Sequence, residues 1–136
     1  MSNSDSELLI IFKKAAHGLF MLSESEHPFI PFIWSIPAQE DLNFKKILEL
    51  TNHPQDLQIE TIELDYLFRN CIQEKDWHDE QQKRNVVKYR ELVETIKSHL
   101  TDIKVYRIGS INIDVYIVGK TEEGNLAGLE TKVVET

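Results

Sequence analysis

The sequence predicts an α+β fold in which helices cover a mostly antiparallel sheet, and three observations carry that expectation. Two stretches, Leu8 to Phe20 and Val86 to Leu100, space their apolar residues at steps of three and four, as an amphipathic helix with one buried face does. The last third alternates instead: Ile111, Ile113, Val115 and Ile117 are separated by Asn112, Asp114 and Tyr116, the period of a half-buried strand. No linker and no internal repeat separates the helical part from the strand part, so the 136 residues are expected to form a single domain, 1–136.

Taken in order, Ser4 and Glu7 form an S-x-x-E capping box that satisfies free amides at a helix start. Leu8, Phe12, Ala15 and Leu19, widened by Leu9, Ala16 and Phe20, give this helix its buried face, and it is expected to end near Leu22. From Ser23 to Pro31 two prolines remove amide donors and bias the residues before them towards extended backbone, which predicts an ordered loop. Phe32 to Ile36 is short, aromatic and β-branched, suiting a buried strand. A second helix is expected from Pro37 to Thr51, stopped by Asn52-His53-Pro54. Leu57 to Leu64 has the β-branched content of a strand, and Tyr66 to Ile72 reads as a short helical turn burying Leu67, Phe68 and Cys71.

The third helix is the clearest, with Val86, Tyr89, Val93, Ile96 and Leu100 on one side and Lys83, Arg84, Glu91 and Glu94 on the other. Two strands, Lys104 to Ile108 and Ile111 to Val118, flank Gly109-Ser110, a pair suited to a type II′ hairpin turn. After the polar turn 119–125, a strand from Leu126 to about Val134 completes an antiparallel meander.

Charge narrows the function classes. Fifteen basic against 23 acidic side chains leave a formal net charge of −8. Nucleic-acid binding gains its affinity from Lys and Arg displacing counterions, so direct DNA or RNA binding is disfavoured, whereas a basic partner is favoured. A protein that itself binds nucleic acid is one such partner. Cys71 stands alone and cannot form an internal disulfide, which points to a reducing compartment or to indifference to redox state. The segment from Ser2 to Glu7 lacks the basic start of a signal peptide, and no run reaches the ~20 apolar residues that span a bilayer. A cytoplasmic protein without membrane attachment is expected.

Enzyme motifs are lacking. There is no glycine-rich phosphate loop, no G-x-S-x-G elbow and no G-x-G-x-x-G. The five histidines show no metal-ligand spacing with each other or with Cys71. His78-Asp79-Glu80 could collect a metal weakly, but acids at a helix start answer equally well to the helix dipole. Cys71, close to Leu67, Phe68 and Ile72 in sequence, reads as core.

Three features ask for another explanation. The loop Ser23-Glu24-Ser25-Glu26 runs into aromatic and proline residues able to hold it rigid, so its carboxylates can face a metal or an arginine on another protein. Read as folding alone, it is a solvated acidic loop. Lys132 to Thr136 carries a strand to the last residue with no polar tail. Asp76-Trp77 sets an acid beside a large aromatic before the long helix, where Asp76 or Asp79 also suits an N-cap and Trp77 a hydrophobic cover.

At these segments the sequence resembles the nuclease A inhibitor family, protein inhibitors of sugar-non-specific, magnesium-dependent ββα-metal endonucleases. The resemblance spans nearly the whole chain. It is carried by Ser23-Glu24-Ser25-Glu26 with Pro28-Phe29, Asp76-Trp77, Val105-Tyr106-Arg107 with Gly109, and Asp114-Val115-Tyr116. Its longest part is Gly124-Asn125-Leu126-Ala127-Gly128 running into Thr131-Lys132-Val133-Val134-Glu135-Thr136. The resemblance implies an α/β/α sandwich similar in architecture to pathogenesis-related protein 1, binding one-to-one across the nuclease active site as an acidic substrate mimic. It implies that Glu24 approaches the catalytic magnesium of the nuclease, directly or through a metal-bound water, and that Thr136 enters the cleft. Asp76 and Trp77 would meet basic and apolar parts of the nuclease surface, and Glu26 joins them by its place on the Glu24 loop. The chain itself would need no cofactor, since the nuclease carries the magnesium, and it is expected to be monomeric when free. An acidic protein-binding module of the same fold with a different partner is the alternative. His27, where the family pattern carries an aromatic, and Lys75, before Asp76, are departures; Asn43 to Asp56 has no match.

Overall fold

The computed structural model describes residues 5–21, 26–34 and 43–135. Helix α1 (Asp5–Ala15) leads into a short strand β1 (Phe20–Met21), which pairs antiparallel with β2 (His27–Pro28). Then come β3 (Ile30–Trp34), α2 (Phe44–Leu50), β4 (Ile59–Ile62), α3 (Leu64–Leu67) and the 20-residue α4 (Glu80–His99). The chain closes with three long strands, β5 (Thr101–Ile108), β6 (Asn112–Lys120) and β7 (Leu126–Val134). Five strands form one sheet in the order β3-β7-β6-β5-β4, and every pairing in it is antiparallel.

Alternation along the strands gives the sheet two apolar faces, each of which must be covered. On one face Val105, Ile113, Val115, Ile117, Ala127, Leu129 and Val133 pack against Leu8 and Phe12 of α1, Leu64 and Leu67 of α3, and Tyr89, Leu92, Val93 and Ile96 of α4. On the other, Tyr106, Ile108, Val118 and Leu126 pack against Ile47 and Leu48 of α2, with Phe32, Trp34 and Tyr116 alongside. The result is an α+β protein of three layers, helices on both faces of an antiparallel sheet. Each fully buried Leu, Ile or Val contributes roughly 1.5–3 kcal/mol, so α4, with five buried positions on one stripe, anchors its face of the sheet.

The long helix and the meander lie where the periodicity puts them. Asp79 is the N-cap of α4: its carboxylate accepts the Gln82 amide at 2.8 Å while the Gln82 side chain accepts the Asp79 amide at 2.8 Å. Leu67, Phe68 and Cys71 are buried, as expected of the segment after β4.

Other boundaries are corrected. The first helix does not continue to Leu22; it stops at Ala15, because Gly18 at φ +76° reverses the chain through the left-handed region before β1 begins. Leu19 and Met21 nevertheless stay in the core, contributed by the turn and the strand, whereas Phe20 points outward. The strand expected from Phe32 starts earlier, at Ile30, where pairing with Glu130 of β7 sets the register. The second helix begins at Phe44, capped by the Asn43 side chain accepting the Lys46 amide at 2.9 Å. Its expected first part, 37–42, lies outside the described residues, as does Ser4 of the N-terminal capping box. The strand expected over Leu57 to Leu64 is confined to Ile59–Ile62.

Nor is Gly109-Ser110 a two-residue hairpin. Ile108 pairs with Asp114, so five residues intervene, and Asn112 and Ile113 already pair with β7. Gly109 has φ +111°, and a Cβ there would stand 2.6 Å from the Asn112 carbonyl oxygen, so the position admits glycine alone. Ile111 falls in this loop and is exposed.

Candidate functional site

Two of the five residues singled out from the sequence, Glu24 and Thr136, lie outside the described residues; Glu26, Asp76 and Trp77 lie within them. The chain on either side of 22–25 is held firmly. Met21 pairs with His27, and the buried Phe29 ring stacks on Phe68 with centroids 5.7 Å apart. The Thr131 hydroxyl of β7 donates to the His27 carbonyl at 3.2 Å. These contacts hold His27 and Phe29 against β7 and the turn after α3.

Asp76 and Trp77 occupy a turn closed at its base. The His78 amide donates to the Lys75 carbonyl, and the Lys75 amide donates to His78 Nδ1, both at 3.0 Å. A turn tied at its outer residues throws its central pair outward, and Trp77 is 72% exposed, its ring meeting His78 edge-on at 4.5 Å. An indole left in water adds little to the folding free energy. Asp76 is exposed in the same turn. The N-cap role considered for Asp76 falls to Asp79.

The fold brings Glu26 and Trp77, 51 positions apart in sequence, to one cavity of about 390 Å³. Asn70, Gln82 and Asn85 add amide groups to its wall, and Lys75 also reaches it. Sequence reasoning missed these amides, because nothing local distinguishes them from ordinary solvated polar residues. Tyr89 forms part of the wall, and its phenol is pushed up to about 12, first by burial, then by the nearby Cys71 and Glu26. The Lys75 ammonium donates to the Gln73 side-chain oxygen at 3.0 Å, a contact that leaves its charge unneutralised.

At the end of β7 the described chain stops at Glu135, one residue before Thr136. The Glu135 amide donates to the Ile111 carbonyl at 2.9 Å. Its carboxylate accepts from Arg107 Nη2 at 2.5 Å, while Arg107 Nη1 donates to Glu60 at 2.8 Å.

A second cavity, about 300 Å³, opens beside His27 on the α2 face of the sheet. Here His53 Nε2 lies 2.7 Å from Asp114 and its Nδ1 2.5 Å from the Thr51 hydroxyl, tying the loop after α2 to β6. Burial pushes the Tyr116 phenol in its wall up to about 12, with Glu130 and Asp114 adding to the effect. The Thr51 hydroxyl sits within 2.8 Å of the Ile47 carbonyl as part of the α2 end, a helix-terminus arrangement rather than a nucleophile's.

His78-Asp79-Glu80 is spent on the turn and the cap. Among the described residues no group of three or more His, Cys, Asp or Glu side chains is placed to hold a metal ion, and no helix is long and apolar enough to cross a membrane. Among the described residues, the first cavity gathers the Glu26 carboxylate, the amides of Asn70, Gln82 and Asn85 and the Trp77 indole.

No curated protein is significantly similar to the chain. Residues 6–136, nearly the whole chain and therefore both the acidic segment and the β7 end, match the family described as nuclease A inhibitor-like protein, and the chain belongs to that family.

Proposed function

We propose that this protein inhibits a sugar-non-specific, magnesium-dependent ββα-metal endonuclease by binding one-to-one over its active site. The observation that carries the reading is the family match over residues 6–136 joined to the meeting of Glu26 and Trp77 at one cavity. Glu24 is directed at the catalytic magnesium of the nuclease, where its carboxylate stands in for a phosphate oxygen, directly or through a metal-bound water. Thr136 enters the cleft. Asp76 and Glu26 face basic residues of the nuclease, and Trp77 covers an apolar part of its surface, the pairing of charge and aromatic usual at a hot spot.

The net charge of −8 supports the same reading, since an acidic protein imitates the polyanionic substrate and is steered towards a basic cleft. The protein is not itself an enzyme, needs no cofactor of its own, binds neither nucleic acid nor membrane, and works as a cytoplasmic monomer.

The test is DNA cleavage by such a nuclease in magnesium buffer, titrated with this protein beside a control lacking the nuclease. The expected outcome is a linear loss of activity ending near one equivalent. Glu24→Gln, or residues appended after Thr136, should each weaken the inhibition. Full inhibition by both variants overturns the mechanism, and unchanged cleavage with the native chain assigns the fold to a different protein partner, to be sought by pull-down.

A further inference from the structure

We propose that Arg107 is a positioning residue that pre-organises the end of β7 for insertion into the nuclease; this rests on the reading of Thr136 given above. The β4–β5 register sets Glu60 directly opposite Arg107, and the guanidinium reaches past β6 to the residue following β7. One planar fork thus spans four strands, donating through Nη1 to Glu60 at 2.8 Å and through Nη2 to Glu135 at 2.5 Å.

Several features separate this from a surface ion pair. The Arg107 side chain is only 15% exposed, although both of its partners are more than half exposed, so the guanidinium is the sheltered hub of the group. The Glu135 backbone is held independently, by its amide on the Ile111 carbonyl. Side chain and backbone of Glu135 are therefore restrained together. Glu60 accepts the second prong, which aligns the guanidinium plane towards Glu135. A chain end normally frays, and ordering it on binding costs affinity. Glu135, restrained in the free protein, has met its own part of that cost during folding. Lysine cannot replace arginine here, because a single ammonium lacks the fixed fork that holds two carboxylates on opposite sides.

The experiment is a double-mutant cycle read as inhibition of a sugar-non-specific ββα-metal nuclease, with Arg107→Gln and Arg107→Lys made both in the full chain and in the chain lacking Thr136. Amide hydrogen exchange of the free proteins is measured alongside. Both substitutions are expected to weaken inhibition by the full chain about five- to thirtyfold, the equivalent of re-ordering one residue, and to change inhibition by the shortened chain less than about twofold. Exchange at Glu135 should quicken in both variants while the amides of β6 stay protected. Equal weakening in the two backgrounds would show a direct contact or a general loss of stability, and would overturn the proposal. So would full activity in Arg107→Lys, which would reduce the role to charge. If removing Thr136 leaves inhibition intact, the insertion of the chain end is overturned and this proposal with it. Exchange at Glu135 needs no nuclease, so unchanged exchange there refutes the clamp whatever inhibition shows.

Discussion

The phenol oxygen of Tyr89, on α4, lies 2.5 Å from the carbonyl oxygen of Phe20, on β1, and donates to it across 69 residues of sequence. That bond joins the longest helix to the ribbon from which the Glu24 segment leaves. Tyr89→Phe keeps the ring and removes the bond, so it should lower stability by about 1 kcal/mol, measured as a shift in urea midpoint at unchanged slope. Hydrogen exchange should quicken at Met21 and His27 more than in β6. A uniform change across the sheet would show that the bond does not hold the ribbon in particular.

The same phenol gives stability an alkaline limit. Tyr89 and Tyr116 titrate at about 12 in the folded protein, against 10.0 for an unperturbed phenol, in both cases chiefly through burial. Between those values the unfolded chain binds fewer protons than the native one, so this contribution is fully present below about pH 10 and is lost as pH rises through about 12. The urea midpoint should therefore fall from about pH 9 to about pH 11, and fall less in Tyr89→Phe. Tyrosinate absorbance of the folded protein should show a component that ionises above the usual phenol range. A midpoint flat over that interval would contradict the buried, protonated assignment.

Trp77 and Asp79 stand two residues apart and should separate binding from folding. Trp77→Ala removes a ring that is 72% exposed, so stability should change by no more than about 0.5 kcal/mol, while affinity for the nuclease falls by at least about 2 kcal/mol. Asp79→Ala removes the α4 cap and should cost about 1 kcal/mol of stability with affinity little changed. Thermal denaturation and titration calorimetry read the two effects, and an exchange of roles between the residues would refute the assignment of the turn as the contact surface.

Gly128 and Gly18 predict unequal penalties for the same change. A Cβ on Gly128 would lie 1.6 Å from the Ile117 carbonyl oxygen, inside the sheet, where backbone cannot yield. Gly128→Ala should cost about 3 kcal/mol or more and broadly weaken the β6–β7 pairing. Gly18→Ala meets nothing within 4 Å and pays only for its φ of +76°, about 1–2 kcal/mol. Chemical denaturation of both variants checks the order, and equal losses would contradict it.

How much of this was legible follows the range of the forces involved. The long helix and the β5-β6-β7 meander could be read because burial of one face writes a period into neighbouring residues: Val86, Tyr89, Val93, Ile96 and Leu100, then Ile113, Val115 and Ile117, are all buried as their spacing requires. The end of α1 was misplaced because Leu19 is buried from a turn as well as it would be from a helix, and only the conformational freedom of Gly18 marks the change. The hairpin at Gly109 was misread because a positive φ serves a two-residue turn and a wider loop alike.

By itself, the sequence determined the α+β class, the acidic balance that favours a basic partner, and the motifs, from the Glu24 segment to the closing strand, that carry the family. It also singled out Trp77 and Glu26, while leaving a hydrophobic cover and a solvated loop as their readings from folding alone. Only the tertiary structure decided that these two border one cavity with Asn70, Gln82 and Asn85, that Asp79 rather than Asp76 caps α4, and that Arg107 clasps Glu60 and Glu135. The physical reason is distance along the chain. Arg107 stands 47 residues from Glu60 and 28 from Glu135, and a hydrogen bond between such residues leaves no period in the sequence. It exists because strand register, set by the burial of many other side chains, happens to bring those atoms within reach.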